Sequence, residues 1–288
     1  MRRPVVKFCL ALSILTATLF LLTTPGHAIT YGFVDTNGNF SNTGAFIVKS
    51  PSTGQIFPIC SGSLITPNVF LTAGHCTSFF TQVLEPDGWT AYASFDGSIP
   101  FGGLTSNATN LRAVSAVVTN PNFNRSQSDP GDIGVLILNS NVAGLTPATL
   151  PACGLLDQLA KRNGLKSAVF TPVGYGVQNR VVGGGVPFFQ DVNPIPRMFA
   201  FSGFNALNPG YLRLSQNPST GNGGTCFGDS GGPNFLLVNG QQIIAAITIT
   251  GDRVCRSTNV DYRLDTSSTQ AFFAFVNATF GTSIPIVC

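Results

Sequence analysis

Gly223-Gly224-Thr225-Cys226-Phe227-Gly228-Asp229-Ser230-Gly231-Gly232-Pro233 sets glycines on both sides of a single serine. Glycines there permit a tight backbone whose amides can converge on a point beside the hydroxyl. An oxyanion site requires that convergence, because negative charge develops on a carbonyl oxygen during nucleophilic attack. A Gly-Asp-Ser surface turn is the plainer account of the run taken alone. Surface turns seldom carry a cysteine and a long loop just upstream of one serine, however, and here Cys226 and the segment Asn208 to Gly224 stand in those places.

Two further segments supply the partners that such a serine needs. Leu71-Thr72-Ala73-Gly74-His75-Cys76 places a histidine beside a cysteine. An imidazole can titrate near neutrality, and a disulfide next to it would hold it in position, which are the two demands on a general base. Pro130-Gly131-Asp132-Ile133-Gly134-Val135-Leu136-Ile137-Leu138 places a carboxylate at the mouth of an apolar strand. A carboxylate partly buried there needs a hydrogen-bonded partner. An imidazole N–H would serve, and the other ring nitrogen would then be left free toward Ser230. Singly, His75 reads as an ordinary surface or core histidine and Asp132 as a solvated loop carboxylate.

Taken together, these segments resemble the chymotrypsin-like (trypsin-like) serine peptidase family, in the same chain order of His, Asp and Ser. Cys60-Ser61-Gly62-Ser63-Leu64-Ile65 and Gly174-Tyr175-Gly176 add to the likeness, which extends over nearly all of residues 29–288. The resemblance implies an all-β fold of two six-stranded antiparallel β-barrels with a C-terminal helix and the active site between the barrels. It assigns His75 as base, Asp132 as its orienter and Ser230 as nucleophile, with the amides of Gly228 and Ser230 as the oxyanion hole. It implies a Cys60–Cys76 bond clamping the histidine loop and a Cys226–Cys255 bond across the specificity pocket. Cys153 and Cys288 remain as a third pair. Family enzymes usually bury a freed N-terminal Ile-Val-Gly-Gly against the Asp before the nucleophile, which here implies an ion pair between Ile29 and Asp229; the rival reading is that residues 29–44 merely cover the barrel and activity needs no ion pair.

The sequence departs from the family pattern in the cleft. Cleavage after Lys or Arg uses an Asp six residues before the nucleophile, where this chain has Gly224. Asp261 in the opposite wall would restore a basic preference if it points inward, but strand alternation could equally send it outward. The implied substrate pocket comprises Gly224, Thr225, Thr250, Gly251 and Asp261. Ile249 stands where a serine hydroxyl normally assists the triad carboxylate, unless a one-residue shift brings Thr248 or Thr250 there. Gly74 replaces the usual alanine, a sterically mild change that allows more local freedom.

The rest of the chain bounds the setting. Arg2, Arg3 and Lys7 precede an apolar run from Phe8 to Leu22 that closes on Gly26-His27-Ala28. This is the pattern of a cleaved secretory signal over residues 1–28, and the run is short for a bilayer span. The domain is then 29–288, extracellular, without a stable membrane anchor, and it begins Ile29-Thr30-Tyr31-Gly32. Without the signal, 12 basic residues balance 12 acidic ones, so nothing supports nucleic-acid binding. Six of the 7 cysteines remain, an even number suited to disulfides in an oxidising compartment. Zinc is a poor rival, since no close CxxC pair exists and one of the 2 histidines leaves with the signal.

Short β-branched and aromatic runs alternate with Gly, Asn, Pro and Ser turns: Ala45 to Lys49, Leu111 to Val118, Ile133 to Leu138, Ser167 to Phe170 and Ile243 to Thr250. Helices are expected at Leu155 to Leu165 and Ser267 to Phe280. The pattern favours an antiparallel barrel or sandwich over βαβ units. Val182 to Val186 and Asn208 to Gly224 read as long surface loops, and Asn39, Asn107, Asn124 and Asn277 open glycosylation sequons. The expectation is a monomeric secreted serine endopeptidase acting on protein or peptide substrates and open to protein inhibitors. It needs no cofactor and no metal. The alternative is a protease-like binding or adhesion protein that keeps the scaffold alone.

Overall fold

The computed structural model describes residues 29–105, 108, 110–124, 128–177 and 193–287. Residues 1–28, expected to be a secretory signal, the stretch Val182 to Val186, Asn107 and Cys288 lie outside the described residues. The first half contributes β1 (Phe33–Val34), β2 (Thr43–Lys49), β3 (Ile56–Thr66), β4 (Val69–Thr72), α1 (Gly74–Phe79), β5 (Thr90–Ser94), β6 (Ser98–Ile99), β7 (Leu111–Thr119) and β8 (Gly134–Leu138). The second half contributes α2 (Leu155–Lys161), β9 (Val169–Gly174), β10 (Ile195–Pro196), β11 (Met198–Phe199), β12 (Ser202–Leu207), β13 (Tyr211–Ser215), β14 (Pro233–Val238), β15 (Gln241–Gly251), β16 (Thr258–Arg263) and α3 (Ser267–Phe280).

Two closed six-stranded antiparallel barrels result. The first has the order β2-β3-β4-β8-β7-β5. In the second, β9 pairs with both β12 and β14, which closes the order β9-β12-β13-β16-β15-β14 into a ring. Closure removes the unpaired sheet edges that would otherwise template aggregation. β1 and β11 extend β9 on the outside, so the N-terminal segment is built into the second barrel and not the first.

Local chemistry accounts for these elements. β8 is an unbroken apolar run buried along its whole length. The hairpin between β14 and β15 turns on Asn239 (φ 50°) and Gly240 (φ 80°), the left-handed pair that a two-residue turn requires. α3 starts where the Thr266 side chain accepts the Thr269 N–H at 3.2 Å and ends at Gly281 with φ 65°. Its Phe272, Phe273 and Val276 are buried. α2 stops at Lys161, short of Leu165, because Asn163 turns left-handed at φ 56°. The stretch Asn208 to Gly224 is not one loop, since it contains β13, whose Leu212 and Leu214 point into the second barrel.

A buried ion pair joins the N-terminal segment to both barrels. Arg197 Nε donates to Asp35 Oδ2 at 2.8 Å, and both side chains are almost fully shielded. Its Nη1 donates to the Thr43 and Phe95 carbonyls of the first barrel and to the Tyr175 hydroxyl. Burial pushes that phenol up to about 12, although the neighbouring guanidinium pulls it the other way. Among the described residues no helix is long and apolar enough to cross a membrane. Of the described sequon residues, Asn39 and Asn124 are exposed, whereas the Asn277 amide donates to the Ile284 carbonyl at the end of α3.

Removing one partner of a buried ion pair strands the other. Arg197→Met should therefore lower unfolding free energy by about 3–5 kcal/mol, measured by urea denaturation, and Arg197→Met combined with Asp35→Asn should recover part of it. A single variant within about 0.5 kcal/mol of wild type would contradict this reading of the pair.

Candidate active site

The segments that carry His75 and Asp132 touch each other, and the turn that carries Ser230 packs against the residues just before His75. His75 sits on α1, a helix of 6 residues. Such a short helix has little stability of its own. It is held from outside by the Cys60–Cys76 disulfide and by contact with the segment carrying Asp132. The contact is backbone on backbone: a Cβ on Gly74 would stand 2.9 Å from the Ile133 nitrogen. Gly74 therefore serves close approach, and the local freedom expected of it is not what the structure uses.

Asp132, 7% exposed, grips His75 twice. Its Oδ1 accepts the His75 backbone N–H at 2.8 Å, and its Oδ2 lies 2.9 Å from Nδ1. With the carboxylate as acceptor, Nδ1 carries the proton and Nε2 is left to accept one. Thr248 is turned away from this carboxylate into a separate cluster, and among the described residues Thr250 makes no hydrogen bond to it. Ile249, the bulged residue between Thr248 and Thr250, is 9% exposed and packs in the core.

Ser230 is carried by a turn wedged between the barrels. Its carbonyl accepts the Ser61 N–H of β3 at 2.8 Å, and the next amide, Gly231 N–H, donates to the Thr248 carbonyl of β15 at 2.7 Å. A Cβ on Gly231 would collide with Thr72 Oγ1 and stand 2.6 Å from the Ala73 nitrogen, two residues before His75. The Ser230 hydroxyl makes no hydrogen bond to the imidazole among the described residues. Such contacts are commonly loose until substrate is bound. The amides of Gly228 and Ser230 likewise have no acceptor among the described residues, and Gly228 takes φ 95°.

Beneath this turn Asp229 is fully buried. Its Oδ1 accepts the Gly176 N–H at 2.8 Å and its Oδ2 the Cys226 N–H at 2.9 Å. Burial outweighs both bonds and pushes its carboxyl up to about 7. Ile29 is fully buried against Met198 and Ala200, and Thr30 forms a bridge with Gly224. The start of the described chain therefore runs past the base of the same turn.

A cleft of about 280 Å³ opens beside Ser230. Thr225, Cys226 and Phe227 form one wall, residues 248–253 with Cys255 the other, and the Cys226–Cys255 disulfide joins them. Thr225, Thr250 and Gly251 thus line it, while two other expected pocket residues do not. The buried Gln216 side chain packs directly on the Gly224 Cα. Asp261 is fully buried beneath the cleft, bonded to Asn234, Thr248 and Asn259. Sequence reasoning did not single out Gln216, Asn234 or Asn259, since no local motif marks a residue that becomes polar and buried only through pairing across strands. Cys153 is disulfide-bonded, and Cys288, its expected partner, lies outside the described residues. Cys60, His75 and Cys76 bring three potential metal-ligand atoms within 4.8 Å, but both sulfurs are committed to their disulfide.

Comparisons with known proteins agree with this architecture. The family model described as Trypsin matches residues 32–176, just over half of the chain, a span that includes His75 and Asp132 and ends before Ser230. The CLIP domain-containing serine protease B15 of Anopheles gambiae is 26% identical over 233 residues, covering 75% of this chain. The aligned region spans 60% of that relative's length.

The raised Asp229 carboxyl makes a signed prediction. Its folded value lies above the ordinary 3.8, so the folded form holds a proton that the unfolded chain releases. The stability from this group is fully present below about pH 3.8 and is lost as pH rises through about 7. Urea midpoints of the chain extended beyond Ile29 should fall across that window relative to Asp229→Asn, which has no such titration. Parallel curves for the two proteins would refute the assignment.

Proposed function

The chain belongs to the trypsin family of serine peptidases, and on that premise we propose that it is a secreted serine endopeptidase working through an acyl-enzyme on Ser230. The observation that carries the reading is the double grip of Asp132 on His75, at 2.8 Å to the backbone and 2.9 Å to Nδ1. That grip leaves Nε2 free of the carboxylate, which is the condition the proposed chemistry sets for it to accept the Ser230 proton.

In the proposed reaction Nε2 of His75 takes the Ser230 proton as Oγ attacks the substrate carbonyl carbon. Charge moves to the carbonyl oxygen, where the N–H groups of Gly228 and Ser230 would receive it. Collapse expels the amine, which takes the proton back from His75 and leaves an ester on Ser230. Water, deprotonated by the same imidazole, then hydrolyses the ester. His75, Ser230, the two backbone N–H groups and water supply every step of this scheme.

Activation follows from burial. An Asp229 carboxylate without a counter-charge in the interior is costly, and a free Ile29 ammonium would neutralise it. Cleavage before Ile29 would create that ammonium, on a residue already buried close to the Gly224 backbone. Removal of a secretory signal at 28 would then be the activating event itself. N-terminal sequencing of the active secreted protein should read Ile29-Thr30-Tyr31-Gly32, and any other start would remove this account of activation.

A fluorophosphonate should label the wild-type protein on Ser230 and leave Ser230→Ala untouched. Asp132→Asn should label and hydrolyse peptides about 10⁴-fold more slowly, because its amide favours the wrong tautomer of His75. Absence of both labelling and hydrolysis in protein that begins at Ile29 would favour the alternative, a binding protein built on the same scaffold.

A further inference from the structure

Behind the cleft lies a polar cluster that the proposed chemistry leaves unused. Asp261 Oδ1 faces Asn259 Nδ2 at 2.7 Å, Asn234 Nδ2 at 2.8 Å and the Thr248 hydroxyl at 3.3 Å. Its Oδ2 is buried without a partner among the described residues. Desolvation holds this carboxyl well above the usual range. A proton held there belongs on the unpartnered Oδ2, so Oδ1 remains an acceptor in either state.

That acceptor dictates the directions of the bonds around it. Asn259 must turn its NH₂ toward Asp261, because the flipped amide would set two acceptor oxygens face to face. The Asn259 Oδ1 then points away, 2.6 Å from Thr225 Oγ1, and the Thr225 hydroxyl must donate to it. Thr225 has thus spent its proton inward, and among the described residues its oxygen accepts nothing. Thr248, by contrast, accepts from Asn234 and Asn259. The cleft carboxylate of Asp252 is engaged by Gln216 Nε2 and by the N–H groups of Arg256, Ser257 and Thr258.

We infer that Asp261 is a positioning residue for specificity: acting through Asn259, it holds the Thr225 oxygen as an acceptor in the cleft. The cleft then selects substrates whose residue before the scissile bond ends in an N–H donor, an uncharged carboxamide such as glutamine being the simplest. That assignment rests on the peptidase reading for what enters the cleft. The competing determinant in the same cleft is exposed Arg253, which would instead favour a carboxylate.

Peptides that differ only in that residue, Gln, Met or Glu, separate these outcomes. They are compared twice, as kcat/KM with the active protein and as Kd with Ser230→Ala by calorimetry. The second measurement reads the cleft even if no hydrolysis occurs, so failure of the peptidase reading and failure of this inference are distinguishable. Gln should exceed Met by about tenfold and should exceed Glu as well. Thr225→Val should bring the Gln:Met ratio to about one, and Thr225→Ser should keep it. Asp261→Asn, whose amide oxygen can replace Oδ1, should keep the ratio, while Asp261→Val should lose it. Equal use of Gln and Met by the wild type, preference for Glu, or a ratio that survives Thr225→Val would overturn the proposal. So would a folded Asp261→Val with the wild-type ratio. Should Asp261→Val not fold, the two Thr225 variants carry the test.

Discussion

Where the barrels meet, the chain from 228 to 232 runs too close to its neighbours to carry side chains except at Asp229 and Ser230. A Cβ on Gly228 would stand 2.9 Å from the Gly176 Cα, one on Gly231 would collide with Thr72, and one on Gly232 would lie 2.5 Å from the Val173 carbonyl. This contact of backbone with backbone does more than economise on volume. It fixes the distance between a turn belonging to the second barrel and a helix belonging to the first, and the proposed chemistry needs both within reach of one carbonyl carbon. The alternation is also directional: Asp229 is sent into the interior and Ser230 to the cleft.

The same closeness explains why charge is placed so sparingly. Each buried carboxylate has its own remedy. Asp35 has a guanidinium, Asp132 has an imidazole and an amide, and Asp265 has Arg263. Among the described residues Asp229 has two backbone N–H groups and no cation, and burial raises its carboxyl in spite of them. Asp261 receives three neutral donors on one oxygen and none on the other. The last two are the carboxyls for which the interior is least prepared; Asp229 lies under the proposed nucleophile and Asp261 behind the cleft. Poorly compensated buried carboxyls of this kind mark candidate functional sites.

The residues with local signatures were legible in the sequence, and those whose roles arise by pairing were not. His75, Asp132 and Ser230 each sit in a short motif, and the terminal helix announces itself at Thr266. β13 was hidden inside a glycine- and asparagine-rich stretch, although Tyr211-Leu-Arg-Leu-Ser alternates as a half-buried strand should. α1 has too few residues to display a helical period. Whether Asp261 faces the cleft could not be decided by alternation, because on β16 the polar alternates Asn259, Asp261 and Arg263 are the ones turned into the interior. Arg197 and Asp35, 162 residues apart, carry no sequence signal of their partnership.

That separation bears on the order of assembly. Asp35 waits for Arg197, and Thr30, 194 residues from Gly224, waits longer still. During synthesis the first barrel has all six of its strands by Leu138, while residues 29–35 ahead of it still lack β11, Arg197 and Gly224, with which they pair. Contacts of such range are slow to form. The earliest-made part of the domain is therefore among the last to be fastened, and a chain interrupted before the second barrel would expose its beginning to the solvent.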